Sequence, residues 1–359
     1  MSTTTTVSDR TPAPQLSGRL TAAKLPRWAP AGVAVLSIAV GCVIGAGAGL
    51  ASHIQWGLIS ALLFVVLSFG LSAKVEGVRQ AKDRLATSLI WVAFILAVVP
   101  LVSLVVYTVQ QGAGVVDGNF LNHSMRGVLQ SGPGGGIYHA LLGTLQQVGL
   151  ATAIAAPIGL LTAVYLVEYG RGRLAKTVTF FVDVMTGVPS IVAGLFVLSV
   201  WILGLGFTYS GFAGSLALAI LMMPVVVRST EEMLRLVPNE LREASYALGV
   251  PKWKTILRVV IPTAIGGITT GVMLAVARIT GETAPVMMLV FVSDSINPDP
   301  FNGPQMNLPV YIWQQYSQVN NSFGYARAWG AALVLIAFVM ALNLVARGIA
   351  RWRSPKAGN

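Results

Sequence analysis

The chain has 359 residues, of which 55% are hydrophobic, only 10% are charged and 38 are glycine, so it lacks the polar shell that a soluble core of this size requires. Its formal net charge of +11 falls on basic residues clustered between long apolar runs, the pattern of loops held at the cytoplasmic side of a membrane, and leaves no compact basic domain to bind nucleic acid. Cys42, the single cysteine, excludes disulfides within the chain and cysteine metal clusters, and His53, His123 and His139 are too dispersed in sequence to make a good metal or catalytic set.

A bilayer core takes about 20 apolar residues as helix. Eight segments are predicted to cross it: Ala31–Ala51, Trp56–Ser72, Leu89–Val109, Ala140–Val167, Val178–Leu205, Phe212–Val227, Val259–Val292 and Trp329–Val345. The sixth is short and carries Pro224, and the seventh is too long for one straight crossing. The expected fold is an all-α polytopic membrane protein. With the N-terminus in the cytoplasm, all but three of the lysines and arginines lie on the inner side; Arg126 and Arg327 fall outside and Arg278 falls within a span. An even number of spans with both termini cytoplasmic follows.

The first span follows basic residues and ends in small ones, as a signal peptide would, but it is too long for one and a second apolar run follows at once, so the two are read as a retained hairpin. Gly41, Gly45 and Gly49 recur every four residues in it. They mark either a close helix contact or the general glycine enrichment of membrane helices. After the fourth span, Gly170-Arg-Gly-Arg-Leu-Ala-Lys-Thr177 is the nearest approach to a phosphate-binding loop, but it has Ala175 where the second glycine belongs and follows a membrane span instead of a strand. The chain is therefore expected not to hydrolyse ATP itself. In span five, Asp183 and Pro189 are candidates for a gate; the alternative for Asp183 is simple solvation near the inner end.

The most informative soluble stretch, 229–262, joins spans six and seven. Pro238 and Asn239 suit a helix start, and Glu240 and Glu243 suit its early turns. Leu241, Ala244 and Leu248 share one face, Gly249 can end the helix in the left-handed conformation, and Pro251 can begin the next. The expectation is a short amphipathic helix across the inner mouth of the membrane domain, either an ordinary interfacial helix or a docking knob. Span seven holds Arg278 and Glu282, four residues apart and so able to pair on one helical face. An ionised residue at mid-membrane costs at least about 2.5 kcal/mol on insertion scales, so the pair is expected to face a cavity or to tie span seven to a neighbour. Gly281 and Pro285 flank it, and a break there would free backbone groups to line a polar path.

Two sets of residues carry a family resemblance. Glu243-Ala244-Ser245, three residues, Gly249, nine residues and Val259-Val260-Ile261-Pro262 resemble the EAA signature of bacterial ABC-importer permeases, with Ser245, Val259 and Ile261 as conservative departures. From about Arg84 to the C-terminus, the stretches Tyr165-Leu-Val-Glu-Tyr-Gly170, Val188-Pro-Ser-Ile-Val-Ala-Gly-Leu-Phe196, Ala277-Arg-Ile-Thr-Gly-Glu-Thr-Ala-Pro285 and Asn307-Leu-Pro-Val310 are similar to the PstA-type permease of phosphate importers. Thr283-Ala284-Pro285 distinguishes that type from the paired PstC type.

The resemblance implies a six-helix ABC type I permease core at 86–359, with residues 1–85 as a cytoplasmic tail and an added two-helix hairpin. It implies residence in the bacterial cytoplasmic membrane, a PstC-type partner permease, two copies of a PstB-type ATPase that bind ATP and Mg, and a PstS-type phosphate-binding protein that meets the outer loops. No cofactor is expected in this chain. By the same resemblance, Glu243, Ala244, Gly249 and Arg242 couple to the ATPase, and Arg278, Glu282 and Thr283 belong to the substrate pathway. Arg278 would offer a planar donor fork to phosphate oxygens, and Glu282 would balance its charge when the path is empty. One arginine is a poor match for a divalent anion, so a second subunit completes the path. The rivals are a permease for molybdate or sulfate, a secondary anion transporter or channel, and a sensor or scaffold that transports nothing.

Overall fold

The computed structural model describes residues 25–318 and 321–353, all helix, turn and loop with no strand among them. The basic tail with Arg10, Arg19 and Lys24 and the terminal Lys356 lie outside the described residues. Among the described residues seven helices are long and apolar enough to cross a membrane, or eight if a bent helix pair is one span. The chain forms two compact units that divide after Val105.

The first unit contains α1 (Ala29–Gly47), α2 (His53–Val75) and the first part of α3 (Val78–Gly112). The glycine stripe resolves into two roles. A Cβ on Gly41 would lie 2.1 Å from Ser60 Oγ and one on Gly45 2.3 Å from the Trp56 ring, so both let α2 approach closely, whereas Gly49 sits beyond the helix at φ +65 in the connecting turn. At the other end of the hairpin, Glu76 accepts hydrogen bonds from Arg84 Nε (2.6 Å) and Nη2 (2.9 Å), Ser72 Oγ (2.8 Å) and Leu25 N (2.7 Å). One carboxylate thus joins the start of α1, the end of α2 and the start of α3.

The second unit begins within α3, which passes through the division, and continues with α4 (Gly118–Asn122) and α5 (Tyr138–Val164), the latter prolonged by a π-helical turn at Tyr165–Tyr169. Then come α6 (Arg173–Gly187), α7 (Ser190–Val197) with a π-helical extension Leu198–Gly204, and α8 (Gly211–Arg235). The remaining helices are α9 (Asn239–Ala247), α10 (Lys252–Thr255) leading through Ile256–Val260 into α11 (Ile261–Thr280), α12 (Ala284–Val290), α13 (Leu308–Tyr316) and α14 (Ser322–Arg353). Its core is α8 packed against α5, α11 and α12, with Ala151, Ala155, Leu218, Met222, Ala275 and Val286 buried between them. Small residues allow this: a Cβ at Gly159 would meet Val226 at 2.7 Å, and one at Gly214 would meet Val290 at 2.8 Å.

Three expected spans are redrawn. The fifth is not one helix, because α6 and α7 meet at 108°; Pro189 forces Val188 into extended backbone (φ −70, ψ 128), which ends α6. The sixth runs on to Arg235, so residues 229–235 belong to α8 and not to the connecting loop. The seventh stops at Thr280 and resumes as α12, with Gly281, Glu282 and Thr283 outside either helix.

Candidate functional site

The stretch between α8 and α11 folds as its local signals dictate. Pro238 precedes α9, Gly249 takes φ +71, and Pro251 precedes α10. The apolar face of α9 is turned away from the chain's own core: Leu241 and Tyr246 are exposed and Leu248 is 83% exposed, while Glu243 and Ala244 lie open beside them. Its inward side is polar. Ser245 meets Thr255 hydroxyl to hydroxyl at 2.9 Å, locking α9 to α10.

Arg242 is turned inward, its side chain 12% exposed. Its Nε (3.1 Å) and Nη2 (2.9 Å) both donate to Glu168 Oε1, Nη1 donates to Val237 O at 2.5 Å, and Nη2 also donates to Leu234 O at 2.9 Å. The guanidinium therefore caps carbonyls at the end of α8 and binds the π-helical turn after α5. Lys252 reinforces the joint by donating to Glu168 O and lying 4.8 Å above the Tyr169 ring. Glu243, Ala244 and Gly249 are thus exposed, whereas Arg242 lies beneath α9 and ties it to the end of α8 and the turn after α5.

At the same end of the unit, Arg228 on α8 pairs with Asp183 on α6 and with Glu231 at 2.7 Å, and Arg235 pairs with Glu231 at 2.5 Å. Asp183 is exposed but ion-paired, so it is more than a solvated carboxylate. Pro189 lies at the α6–α7 bend, and α7 packs on α12 where a Cβ at Gly194 would fall 2.7 Å from Pro285 Cα. The bend in span five and the break in span seven are therefore neighbours.

The expected pairing of Arg278 with Glu282 does not form, because α11 ends at Thr280 and the helical register that would stack them is lost. Arg278 is exposed in the last turn of α11, and its side chain has no hydrogen bond or ion pair among the described residues. Glu282 and Thr283 are half-buried in the break, and the Glu282 carboxylate is likewise without a partner there.

A second polar region escaped the sequence reading. Gln147, within α5 and fully buried, donates to Gln305 Oε1 (3.2 Å) and accepts from Asn307 Nδ2 (3.0 Å). Thr144 Oγ1 accepts from Leu308 N at 2.8 Å. Nearby in sequence to these elements, Arg327 at the start of α14 is buried, not in an outer loop, and donates to Gln315 Oε1 (3.0 Å) and to the carbonyls of Gly132 (2.9 Å), Gly134 (3.1 Å) and Gln130. Burial pushes the Asp294 carboxyl up from the ordinary carboxylate range, against the pull of Gln130 and Arg327. The available signal was Gln146-Gln147 in an otherwise apolar span.

A family model described as binding-protein-dependent transport system inner membrane component matches residues 155–359. The chain is 54% identical over 269 residues to phosphate transport system permease protein PstA 1 of Mycobacterium tuberculosis, which covers 75% of this chain and 88% of that one. It is 42% identical over 219 residues to phosphate transport system permease protein PstA of Pasteurella multocida, covering 60% and 77% respectively. A crystal structure of a bacterial ABC transporter involved in the import of the acidic polysaccharide alginate shares the fold, with a TM-score of 0.50 at 14% identity over 76% of this chain and 98% of that one. Signature, fold and relatives agree, and the chain belongs to the family of binding-protein-dependent transport system inner membrane components.

Proposed function

We propose that this chain is the PstA-type permease of an ATP-driven importer of inorganic phosphate and supplies half of the translocation path. The observation that carries the path is Arg278: an exposed cation with no partner among the described residues, at the end of a helix long and apolar enough to cross a membrane. Such a charge is costly in lipid, and a water-filled path shared with a second permease removes that cost. Its guanidinium presents a fork of donors to phosphate oxygens, and Glu282 and Thr283 in the adjoining break supply a counter-charge and a hydroxyl.

The PstC-type permease is the other half. The exposed face of α9 seats in one of two PstB-type ATPase chains, which hold ATP and Mg, and a PstS-type protein delivers phosphate at the outer loops. Both termini are cytoplasmic, which puts the basic α9–α10 region on the ATPase side of the inner membrane.

The test is ATP-dependent uptake of radiolabelled phosphate into vesicles carrying the full complex. Arg278→Gln is expected to lower uptake at least about tenfold, the effect of losing a charge-assisted hydrogen bond to the anion, and Glu282→Gln to lower it by less. Unchanged uptake in both variants would sink the path assignment. Competition by unlabelled molybdate or sulfate as strong as that by phosphate would move the cargo to another oxyanion, and uptake without ATP would indicate a secondary transporter.

A further inference from the structure

The hairpin unit contains a cavity of about 170 Å³ between α1, α2 and the first turns of α3. Val33, Phe64, Leu71 and Trp91 make most of its lining apolar. It also has a polar end. Ser68 Oγ is buried without a hydrogen-bond partner, and Ser88 and the partly exposed Arg84 also line the cavity. Glu76 occupies Nε and Nη2 of Arg84, which leaves Nη1 without a hydrogen bond among the described residues. The surrounding end of the unit carries Arg27, Lys74, Arg79 and Lys82 against Glu76 and Asp83.

A mostly apolar cavity lined in part by a fixed guanidinium in a basic neighbourhood matches the chemistry of a lipid with a negative headgroup. We propose that it holds one anionic phospholipid, with part of an acyl chain between Phe64 and Trp91 and the phosphate at Arg84 Nη1. Glu76 sets the angle of the guanidinium, and the buried Ser68 hydroxyl reaches the ester region. The lipid thereby fastens the two hairpin helices to α3, and it does so whatever the cargo of the permease.

The assembled transporter, reconstituted in nanodiscs of equal phosphatidylglycerol and phosphatidylcholine, is released for native mass spectrometry. The expected result is one retained phosphatidylglycerol per copy of this chain, favoured over phosphatidylcholine by about fivefold for each basic residue that engages it. Ser68→Phe, which fills the cavity, is expected to abolish that retention, while Ser68→Ala keeps most of it. Equal retention of the two lipids, or retention unchanged by Ser68→Phe, would show only the annular lipid of any membrane protein and overturn the proposal. If Ser68→Phe fails to assemble, the lipid preference of the wild-type chain still decides it.

Discussion

Arg242 and Glu168 tie the end of α8 and the start of α9 to the turn after α5, and their side chains are only 12% and 5% exposed. Removing one partner of a buried pair costs about 3–5 kcal/mol, since the other charge is left desolvated. Arg242→Ala is therefore expected to lower the melting temperature of the complex and to uncouple ATP hydrolysis from uptake, and Arg242→Leu with Glu168→Leu to recover stability better than either single change. Glu76 makes a different prediction. Hydrogen bonding to Arg84 first, and then to the Leu25 amide, holds its carboxyl down from 4.5 to about 2. For an acid whose folded value is depressed, the contribution is complete above the unfolded value and is lost as pH falls through the folded one. The stability gap between wild type and Glu76→Gln should hold from pH 7 to about 4.5 and close toward pH 2. A gap that closes near pH 6 would mean that the clamp does not form.

Helix breaks and close contacts set the behaviour of the elements. At Gly194 any side chain would strike the Pro285 backbone of α12, so Gly194→Val is expected to push α7 away from the break that holds Glu282. Overpacking of this kind costs about 1–3 kcal/mol, and phosphate uptake should fall with it. Gly266, on α11, has open space where its Cβ would be; Gly266→Ala is expected to be neutral or slightly stabilising, as for a helix-interior glycine. Leu248 separates docking from folding: at 83% exposure, Leu248→Glu should leave the melting temperature unchanged and abolish ATPase stimulation. The α9 knob was readable in advance because its signals are local, with Pro238, Gly249 and Pro251 each fixing the backbone at its own position. The two breaks were harder. Hydropathy runs unbroken from Val178 to Leu205 and does not register a change of direction, and the spacing of Arg278 and Glu282 implies a shared face only while the helix lasts. The Gln147, Gln305 and Asn307 network was out of reach for another reason, since its partners are some 160 residues apart and are brought together only by packing of α5 against the segment before α13.

At the scale of the molecule, whether the bent pair α6–α7 crosses or turns back decides the side of everything after it. Hydrogen bonds settle it within the second unit. One level contains Glu168 after α5, the end of α8 and all of α9, joined through Arg242 and Lys252. The opposite level contains the start of α5, where Thr144 meets Leu308, and the start of α8, where Ser210 N donates to Leu289 O at 3.1 Å and Phe212 N to Pro300 O at 2.6 Å. Since α6 leaves from the first level and α8 begins at the second, the pair must traverse the unit despite its 108° bend. Counted as one span, the pair brings the candidate crossings among the described residues to eight, an even number, and it keeps the basic α9–α10 region on the side where the basic turn before α6 lies. Single cysteines test it in a Cys42→Ala background. Arg171→Cys and Ala247→Cys, both at exposed positions, should react with a membrane-impermeant maleimide from the same side, and Ser295→Cys from the other. Labelling of 171 and 247 from opposite sides would make α6–α7 a re-entrant loop and remove the ATPase-facing position of α9 on which the coupling assignment depends.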